Sequence, residues 1–221
     1  MEGIAKYPVA TSGPFSDLFQ RGGPGTVPIT DAAVPLSSFI DPVGGGWLSS
    51  GLPFPLAQID SAANKVVWDA GLRIGVLAVA GYDDAHQIDV NVECNAGALA
   101  LAQTSYIQFS TAGAAKHPAF QMSIIASSLV FNLLTSEDGQ PDIIEGTTAV
   151  AATASFLLQM AWRRSTNTLA VKIGSNPVYS VVSGNTYATM LAYFAMIAQD
   201  LNGGGAFRFL DISATNSPTI I

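Results

Sequence analysis

Charged residues are scarce in this chain. Asp, Glu, Lys and Arg make up 11% of its 221 residues, less than half of the roughly 25% found in an ordinary soluble domain. The mean hydropathy is positive, at +0.36, so a free subunit has few polar groups with which to cover its surface. Two classes of protein fit this composition: membrane proteins, and subunits whose surface is largely buried against neighbouring proteins.

Long hydrophobic runs are also missing. The best candidate covers residues 190–198, about half of the roughly 18 consecutive apolar residues that a spanning helix needs. The first eight residues contain no apolar segment of the kind that defines a secretory signal. We therefore expect no membrane span and no signal peptide, which leaves burial against other protein as the explanation of the low charge.

Basic residues are few and scattered. The net charge is −7, and Arg163-Arg164 is the only adjacent basic pair. Binding to a phosphate backbone requires a clustered basic patch. We therefore expect no direct contact with nucleic acid.

Cysteine occurs once, as Cys94, so neither an intrachain disulfide nor a cysteine-rich metal site can form. It ends a stretch in which apolar residues alternate with polar ones, which predicts a strand with Cys94 on its buried face. Four nearby side chains could in principle collect a divalent cation: Asp83, Asp84, His86 and Asp89. Their spacing matches no known calcium loop, so we expect a polar turn, no metal and no cofactor.

Catalytic patterns are absent as well. The most enzyme-like stretch is residues 87–93, which resembles the acidic strand of sandwich-fold glucanases. Asp89 and Glu93 are four residues apart, so on one strand they lie roughly 13–14 Å from each other, whereas a glycosidase pair needs about 5–9.5 Å. A Ser-His-Asp triad stays open because its members meet only in space, but no nucleophile-elbow pattern supports one. We predict no catalytic residues and no enzyme activity.

Proline is concentrated at the N-terminus, where eight of the twelve lie within the first 55 residues. Proline prevents a long helix or a central strand, yet disordered segments are poor in the aromatic residues that this segment contains. We predict an extended arm over residues 1–60 and a β-sandwich domain over 61–221. The proposed inter-subunit anchors of the arm are Phe15, Phe19, Phe39, Trp47 and Phe54. The alternative is that the segment forms short edge strands and loops of the same domain.

Short alternating segments separated by Gly, Pro, Asn and Ser fill the rest of the chain, which is typical of an antiparallel sandwich or barrel. The pattern changes parity at Ala126-Ser127-Ser128, where a turn would return both flanking segments to one core. Residues 186–201 are rich in Ala, Met and Leu, so propensity predicts a helix there. The predicted fold class is all-β, an antiparallel β-sandwich with concanavalin A-like or jelly-roll topology.

Residues 156–174 run from a tryptophan strand through a polar loop into a second strand, and residues 203–213 place glycine and phenylalanine before an apolar strand. Both patterns resemble concanavalin A-like (laminin-G-like) sandwich domains. The resemblance covers the last third of the chain. Such sandwiches recur in phage and virus structural proteins, so it implies a virion protein.

Two functions follow from these observations. The first is a structural subunit of a virion, in a capsid, decoration or tail-fibre role, whose partners are copies of itself and other structural proteins. The second is a carbohydrate-binding, lectin-like sandwich in which Tyr82, Tyr106 or Tyr179 would stack on sugar. A mass measurement in solution that shows a stable high-order oligomer would favour the first function. A glycan array with sub-millimolar hits would favour the second.

Overall fold

The computed structural model describes five segments in full, and elsewhere only the backbone of further strands. The full segments are residues 84–94, 116–125, 127–137, 139–187 and 207–221. In chain order the strands are β1 (Phe15–Asp17), β2 (Thr26–Pro28), β3 (Gly46–Trp47), β4 (Gln58–Asp60), β5 (Lys65–Val67), β6 (Gly71–Ala78), β7 (Ala85–Cys94), β8 (Gln103–Thr111), β9 (His117–Ile125), β10 (Ser128–Ser136), β11 (Ile143–Ala151), β12 (Ser155–Arg163), β13 (Thr168–Ile173), β14 (Tyr179–Val182), β15 (Tyr193–Asp200) and β16 (Phe207–Thr215).

The strands form two antiparallel sheets. The nine-stranded sheet has the order β14-β13-β12-β7-β16-β5-β4-β2, with β1 also paired to β16, and the seven-stranded sheet has the order β11-β10-β9-β8-β15-β6-β3. This confirms the predicted all-β antiparallel sandwich. Within the described part of the chain, no helix is long and apolar enough to cross a membrane.

Alternation along the strands supplies the core. On β7, the side chains of Ile88, Val90, Val92 and Cys94 are buried, as the sequence predicts. Apolar residues of β9, β10, β12, β13 and β16 join the same core. Trp162 on β12 is 1% exposed and lies 5.9 Å, between ring centroids, from Phe120 of the other sheet. Trp162 is therefore one of the largest side chains of the core.

Tight turns occur where turn residues were predicted. Ser127 has a φ of 64° in the connection between β9 and β10, and Ile124 and Leu129 on either side of it are both fully buried. The β12–β13 hairpin turns through residues 164–167, where Asn167 has a φ of 51°. Asparagine tolerates this left-handed conformation better than most residues.

The predicted helix over 186–201 is wrong for its described second half. Residues Tyr193–Asp200 form β15, which is hydrogen-bonded to β6 on one side and β8 on the other. A strand that is paired along both edges satisfies all its backbone groups within the sheet. Tertiary pairing therefore overrides a helix propensity worth only tenths of a kcal/mol per residue.

The first 60 residues contribute four short strands to the described structure. β1 pairs with β16, β2 with β4, β4 with β5, and β3 with β6. This backbone is therefore paired within its own chain at those positions. The boundary at residue 60 and the assembly role of the segment stay predictions.

Candidate functional site

The stretch singled out in the sequence, residues 87–93, lies in the middle of the nine-stranded sheet. β7 is paired with β12 on one side and β16 on the other. Alternation turns the odd-numbered side chains of β7 away from the core. Together with outward residues of β12 and β16 they form a surface that we call the polar face. Its members are Gln87, Asp89, Asn91, Glu93, Gln159, Arg208 and Asp211.

Hydrogen bonds link the polar face across strands. The Nδ2 of Asn91 donates to both carboxylate oxygens of Asp211, each at 3.0 Å. Asp89 accepts from Nε2 of Gln87 at 2.8 Å and from Nε2 of Gln159 at 3.3 and 3.4 Å. These bonds orient carboxylate and amide groups in the plane of the sheet surface.

One end of the polar face is more open. Arg208 and Glu93 lie opposite each other and form an ion pair of 3.9 Å, and their side chains are 45% and 34% exposed. Leu157, the cross-strand neighbour of Asn91, is an exposed apolar residue beside them. This region combines a guanidinium, carboxylates, an amide and an apolar side chain within reach of solvent.

The C-terminal residues close the other end. Thr219 donates to Oε1 of Gln87 from its backbone N–H at 2.7 Å and from its hydroxyl at 3.2 Å. Gln87, Ala161 and Ala170 form one row across β7, β12 and β13, and all three are buried although they face away from the core. The open part of the polar face is therefore the part that is distant from Thr219.

Asp89 and Glu93 do share this outward face, as the sequence predicts. Their four-residue separation along β7 keeps them roughly 13–14 Å apart. That distance is too long for a pair of glycosidase carboxylates.

Asp84, the described residue of the acidic turn before β7, is hydrogen-bonded to the β12–β13 turn. Asp84 accepts hydrogen bonds from the backbone N–H of Ser165 at 2.8 Å and from its hydroxyl at 3.1 Å. These bonds lower the pKa of Asp84 below its ordinary value. They tie the start of β7 to the β12–β13 turn, which is a structural role.

His86 is buried on the inner face of β7, opposite to the face that carries Asp89. Its ring makes an edge contact with Trp162, with centroids 4.5 Å apart. Burial lowers the pKa of His86 to about 3 and raises that of Cys94 to about 12. Asp83 lies outside the described residues. Among those described, no group of three or more His, Cys, Asp or Glu side chains could hold a metal ion.

A second polar cluster lies where β10, β11 and the segment after β14 meet. Oε1 of Glu145 accepts from the Thr135 hydroxyl at 2.7 Å and from Nδ2 of Asn185 at 2.6 Å. Lys116 donates to Oδ1 of Asn185 at 2.9 Å, and the Tyr187 hydroxyl lies 3.2 Å from that of Thr135. This cluster joins the two sheets at one side of the sandwich.

The electrostatics of Glu145 follow from these contacts. Burial alone would raise its pKa, but hydrogen bonds from Thr135, Asn185 and Ser183, together with the charge of Lys116, bring the pKa below its ordinary value. Burial raises the pKa of Tyr187. The carboxylate is therefore held ionised by fixed partners.

Of the predicted anchors, Phe15 lies on β1 and Trp47 on β3, and their side chains are outside the described part of the structure. Phe19, Phe39 and Phe54 lie outside the described residues. Of the predicted sugar-stacking tyrosines, Tyr179 is partly buried and packs against the core, so it does not offer a free ring. Tyr82 is outside the described residues, and only the backbone of Tyr106 is described, on β8.

Sequence reasoning missed Arg208 and Asp211 as members of the polar face. The register between β16 and β7 shifts between Phe209 and Asp211, so a bulge changes which residues of β16 face outward. In the sequence, Leu210 follows Phe209 directly and so breaks the alternation of apolar and polar residues. This break was the signal that could have predicted the bulge.

A scan against protein-family models finds no match, and a search of curated proteins finds none either. Solved structures do match. The CBM2 module of the evolved Dit of Lactobacillus casei BL23 phage J-1 has a TM-score of 0.55 and 11% identity, covering 95% of this chain and 99% of that one. The potassium-bound carbohydrate recognition domain of Emp46p has a TM-score of 0.50 and 10% identity, covering 70% and 84%.

The binding domain of botulinum neurotoxin serotype D has a TM-score of 0.53 and 5% identity, over 90% of this chain and 48% of that one. This chain thus spans about half the length of that domain. With identities this low, the likeness shows fold alone. The predicted resemblance to β-sandwich domains is confirmed, while its narrower concanavalin A-like type stays a prediction. This chain shares the two-sheet β-sandwich fold of these domains.

Proposed function

We propose that this chain is a non-catalytic binding module of a phage particle and that it recognises carbohydrate. The observation that supports this most strongly is the agreement in fold with the CBM2 module of a phage Dit protein, which extends over 95% of this chain and 99% of that module. Agreement over a whole module is stronger support than agreement over a shared core alone. In this comparison nearly all of both chains correspond.

The open end of the polar face is the proposed site. Sugars present hydroxyl groups that both donate and accept hydrogen bonds, and they present apolar C–H faces. The oxygens of Asp211 and the guanidinium of Arg208 supply acceptors and donors, and Leu157 supplies an apolar contact. A site with a few convergent polar groups beside an apolar surface is the usual arrangement of a small-ligand site.

The absence of catalysis is part of the proposal. The separation of Asp89 and Glu93 argues against glycoside hydrolysis by this pair. Glu145 and Asp84 are engaged with hydrogen-bond donors of the same chain. A binding function uses the carboxylates of the polar face as hydrogen-bond acceptors and requires no proton transfer.

Location in the virion follows from the same proposal. The low charge content of 11% favours a subunit with much of its surface covered by other protein, and its partners would be copies of itself and other structural proteins of the particle. A purely structural role in a shell, decoration protein or fibre is the second candidate. It is favoured by the apolar residues of the N-terminal segment.

A glycan array followed by calorimetry tests the carbohydrate function. We expect sub-millimolar binding to at least one glycan, weakened at least about tenfold by Asn91→Ala or Arg208→Ala, since removing a polar contact at a binding site costs about 1–3 kcal/mol. The matched control is Asn132→Ala. Asn132 lies on the outward face of the other sheet and donates across strands to Gln121 at 3.0 Å.

Circular dichroism must show each variant folded. An array without hits contradicts the carbohydrate function. Binding that Asn91→Ala and Asn132→Ala leave equally unchanged contradicts the assignment to the polar face.

A further inference from the structure

β11 is the longest of the four strands that end the two sheets. It is the last strand of the seven-stranded sheet and pairs only with β10 among the described strands. It has nine residues. The strands at the other three sheet ends have four residues in β14, three in β2 and two in β3.

The other edges have the features by which proteins prevent unwanted strand pairing, and β11 lacks them. Edges are normally shortened, or carry charged residues or proline. β2, for example, ends in Pro28. The segment from Gly146 to Ala151 contains neither a charge nor a proline. Its outward side chains Thr147, Ala149 and Ala151 are all exposed.

The only charged residue of β11 is turned away from the open edge. The register between β10 and β11 shifts at Leu133/Leu134, leaving Glu145 outside the regular pairing. Its carboxylate is bound by Thr135 of β10 and by Asn185. Next to it, Ile144 is 62% exposed and Ile143 is 45% exposed, so the start of the strand adds apolar surface.

We propose that the open edge of β11 pairs in antiparallel register with the same edge of a second copy, which joins the two seven-stranded sheets across a two-fold axis. An edge strand presents backbone N–H and C=O groups whose natural complement is another strand. A two-fold interface brings identical patches together, so it requires a strand that is compatible with itself.

β11 meets that requirement in charge and shape. Directly opposed residues of an antiparallel pair lie on the same face of the sheet, so one residue must lie directly opposite its own copy, with the two-fold axis passing between the two. If that residue is Thr147, Thr148 or Ala149, Glu145 lies opposite a neutral residue of the second copy, Ala149, Ala151 or Thr153. No like charges meet, although each chain carries a net charge of −7.

Sedimentation of the full chain over a concentration series tests the proposal. We expect a species of twice 22.9 kDa that forms reversibly, by itself or as the unit of larger assemblies, with hydrogen exchange across residues 146–151 slowing as concentration rises. The double variant Thr147→Lys/Ala149→Lys should lose both effects, because any of the three registers then places two lysines opposite each other. The matched control is Ser180→Lys/Val182→Lys on the exposed residues of β14, which should behave as wild type.

A charge exchange keeps the test independent of folding. The variant Thr147→Glu/Ala149→Glu should also fail to self-associate, and an equimolar mixture of the lysine and glutamate variants should recover the doubled mass as a mixed pair. Exchange at residues 146–151 that does not depend on concentration in the wild type overturns the proposal. Lysine and glutamate variants that associate as wild type, or that fail to associate when mixed, overturn it too.

Discussion

At the scale of single residues, the buried histidine His86 is expected to determine how the protein responds to acid. His86 lies on the inner face of β7, 2% exposed, against the edge of Trp162. Burial disfavours the charged imidazolium and lowers the pKa of His86 to about 3. The histidine is therefore neutral in the folded protein over the physiological range.

This pKa predicts how stability depends on pH. Below pH 6.5, the ordinary value for histidine, the unfolded chain takes up a proton that the folded chain excludes until about pH 3. The free energy of unfolding therefore falls as pH decreases through this window, and one such site accounts for a loss of about 2 kcal/mol near pH 5. Urea unfolding at several pH values measures it.

The variant His86→Leu is the control. It replaces the titrating ring with an apolar side chain, so its unfolding free energy should fall by about 2 kcal/mol less than that of the wild type between about pH 8 and about pH 5. Asp84 and Glu145 have lowered pKa values, below 3.8 and 4.5, so their protonation destabilises the protein only in more acidic solution. Equal slopes for wild type and His86→Leu would assign the acid sensitivity to other groups.

At the scale of elements, the sequence predicted those strands that pair with their neighbours in the chain. The β12–β13 hairpin is encoded by alternation around a polar turn, and the β9–β10 connection by a change of parity at Ser127. The segment at 193–200 has no such signal, because its strand structure comes from β6 and β8, which are distant in sequence. Apolar residues occupy every even position from Val66 to Ala78, yet β5 and β6 belong to different sheets. Periodicity shows which side of a strand is apolar and not which sheet the strand joins.

The polar face illustrates the same limit. The outward residues of β7 were visible as an alternating stretch, but their partners Arg208 and Asp211 come from β16, more than a hundred residues away. Their faces depend on a bulge. The part of the candidate site that lies on β7 was therefore predictable from the sequence. The residues that β16 contributes to it were not.

The contact between β11 and β14 yields a prediction for Gly146. A methyl group there would lie 2.6 Å from Cγ1 of Val181 and 2.8 Å from Oη of Tyr179. Val181 is stiff because it is β-branched, so Gly146→Ala must push the two edge strands apart. We expect a loss of about 1–3 kcal/mol in the free energy of unfolding, as for other overpacked sites.

Two further variants make this measurement specific. Gly184→Ala is the control, since no atom lies within 4 Å of a methyl group at that position, and its unfolding midpoint should stay near that of wild type. Val181→Ala combined with Gly146→Ala removes the closer of the two clashes. The double variant should lose less stability than the two single changes added together. Simple additivity would show that the strands do not make this contact.

At the scale of the whole molecule, the boundary at residue 60 predicts that the N-terminal segment can be removed from a folded β domain. The described core cluster contains residues of β7, β9, β10, β12, β13 and β16, together with Tyr187. The described strands of the first 60 residues are two or three residues long. They add to sheets whose longer strands pair without them.

Deleting residues 2–60 is therefore expected to leave a folded β domain that no longer assembles beyond the pair formed through β11. Burying one Phe contributes roughly 1.5–3 kcal/mol relative to leaving it exposed. The five predicted anchors, Phe15, Phe19, Phe39, Trp47 and Phe54, could together offset much of the entropy lost when the segment is ordered on a neighbouring subunit. Removing them removes that contribution to assembly, while the described core is retained.

Circular dichroism and sedimentation of the truncated chain test the two halves of this prediction separately. A truncated chain that is unfolded would show that the pairing of β1 with β16 and of β4 with β5 is essential to the domain, and that the boundary belongs elsewhere. A truncated chain that folds and still forms the same large assemblies as the full chain would remove the N-terminal segment as a connector. In that case another surface of the chain would have to make the contacts with neighbouring proteins that the low charge content indicates.

The residue-level control replaces Phe19, Phe39 and Phe54 by Ser in the full chain, which keeps the described strands of this segment and removes three anchors. It should reproduce the assembly defect without unfolding.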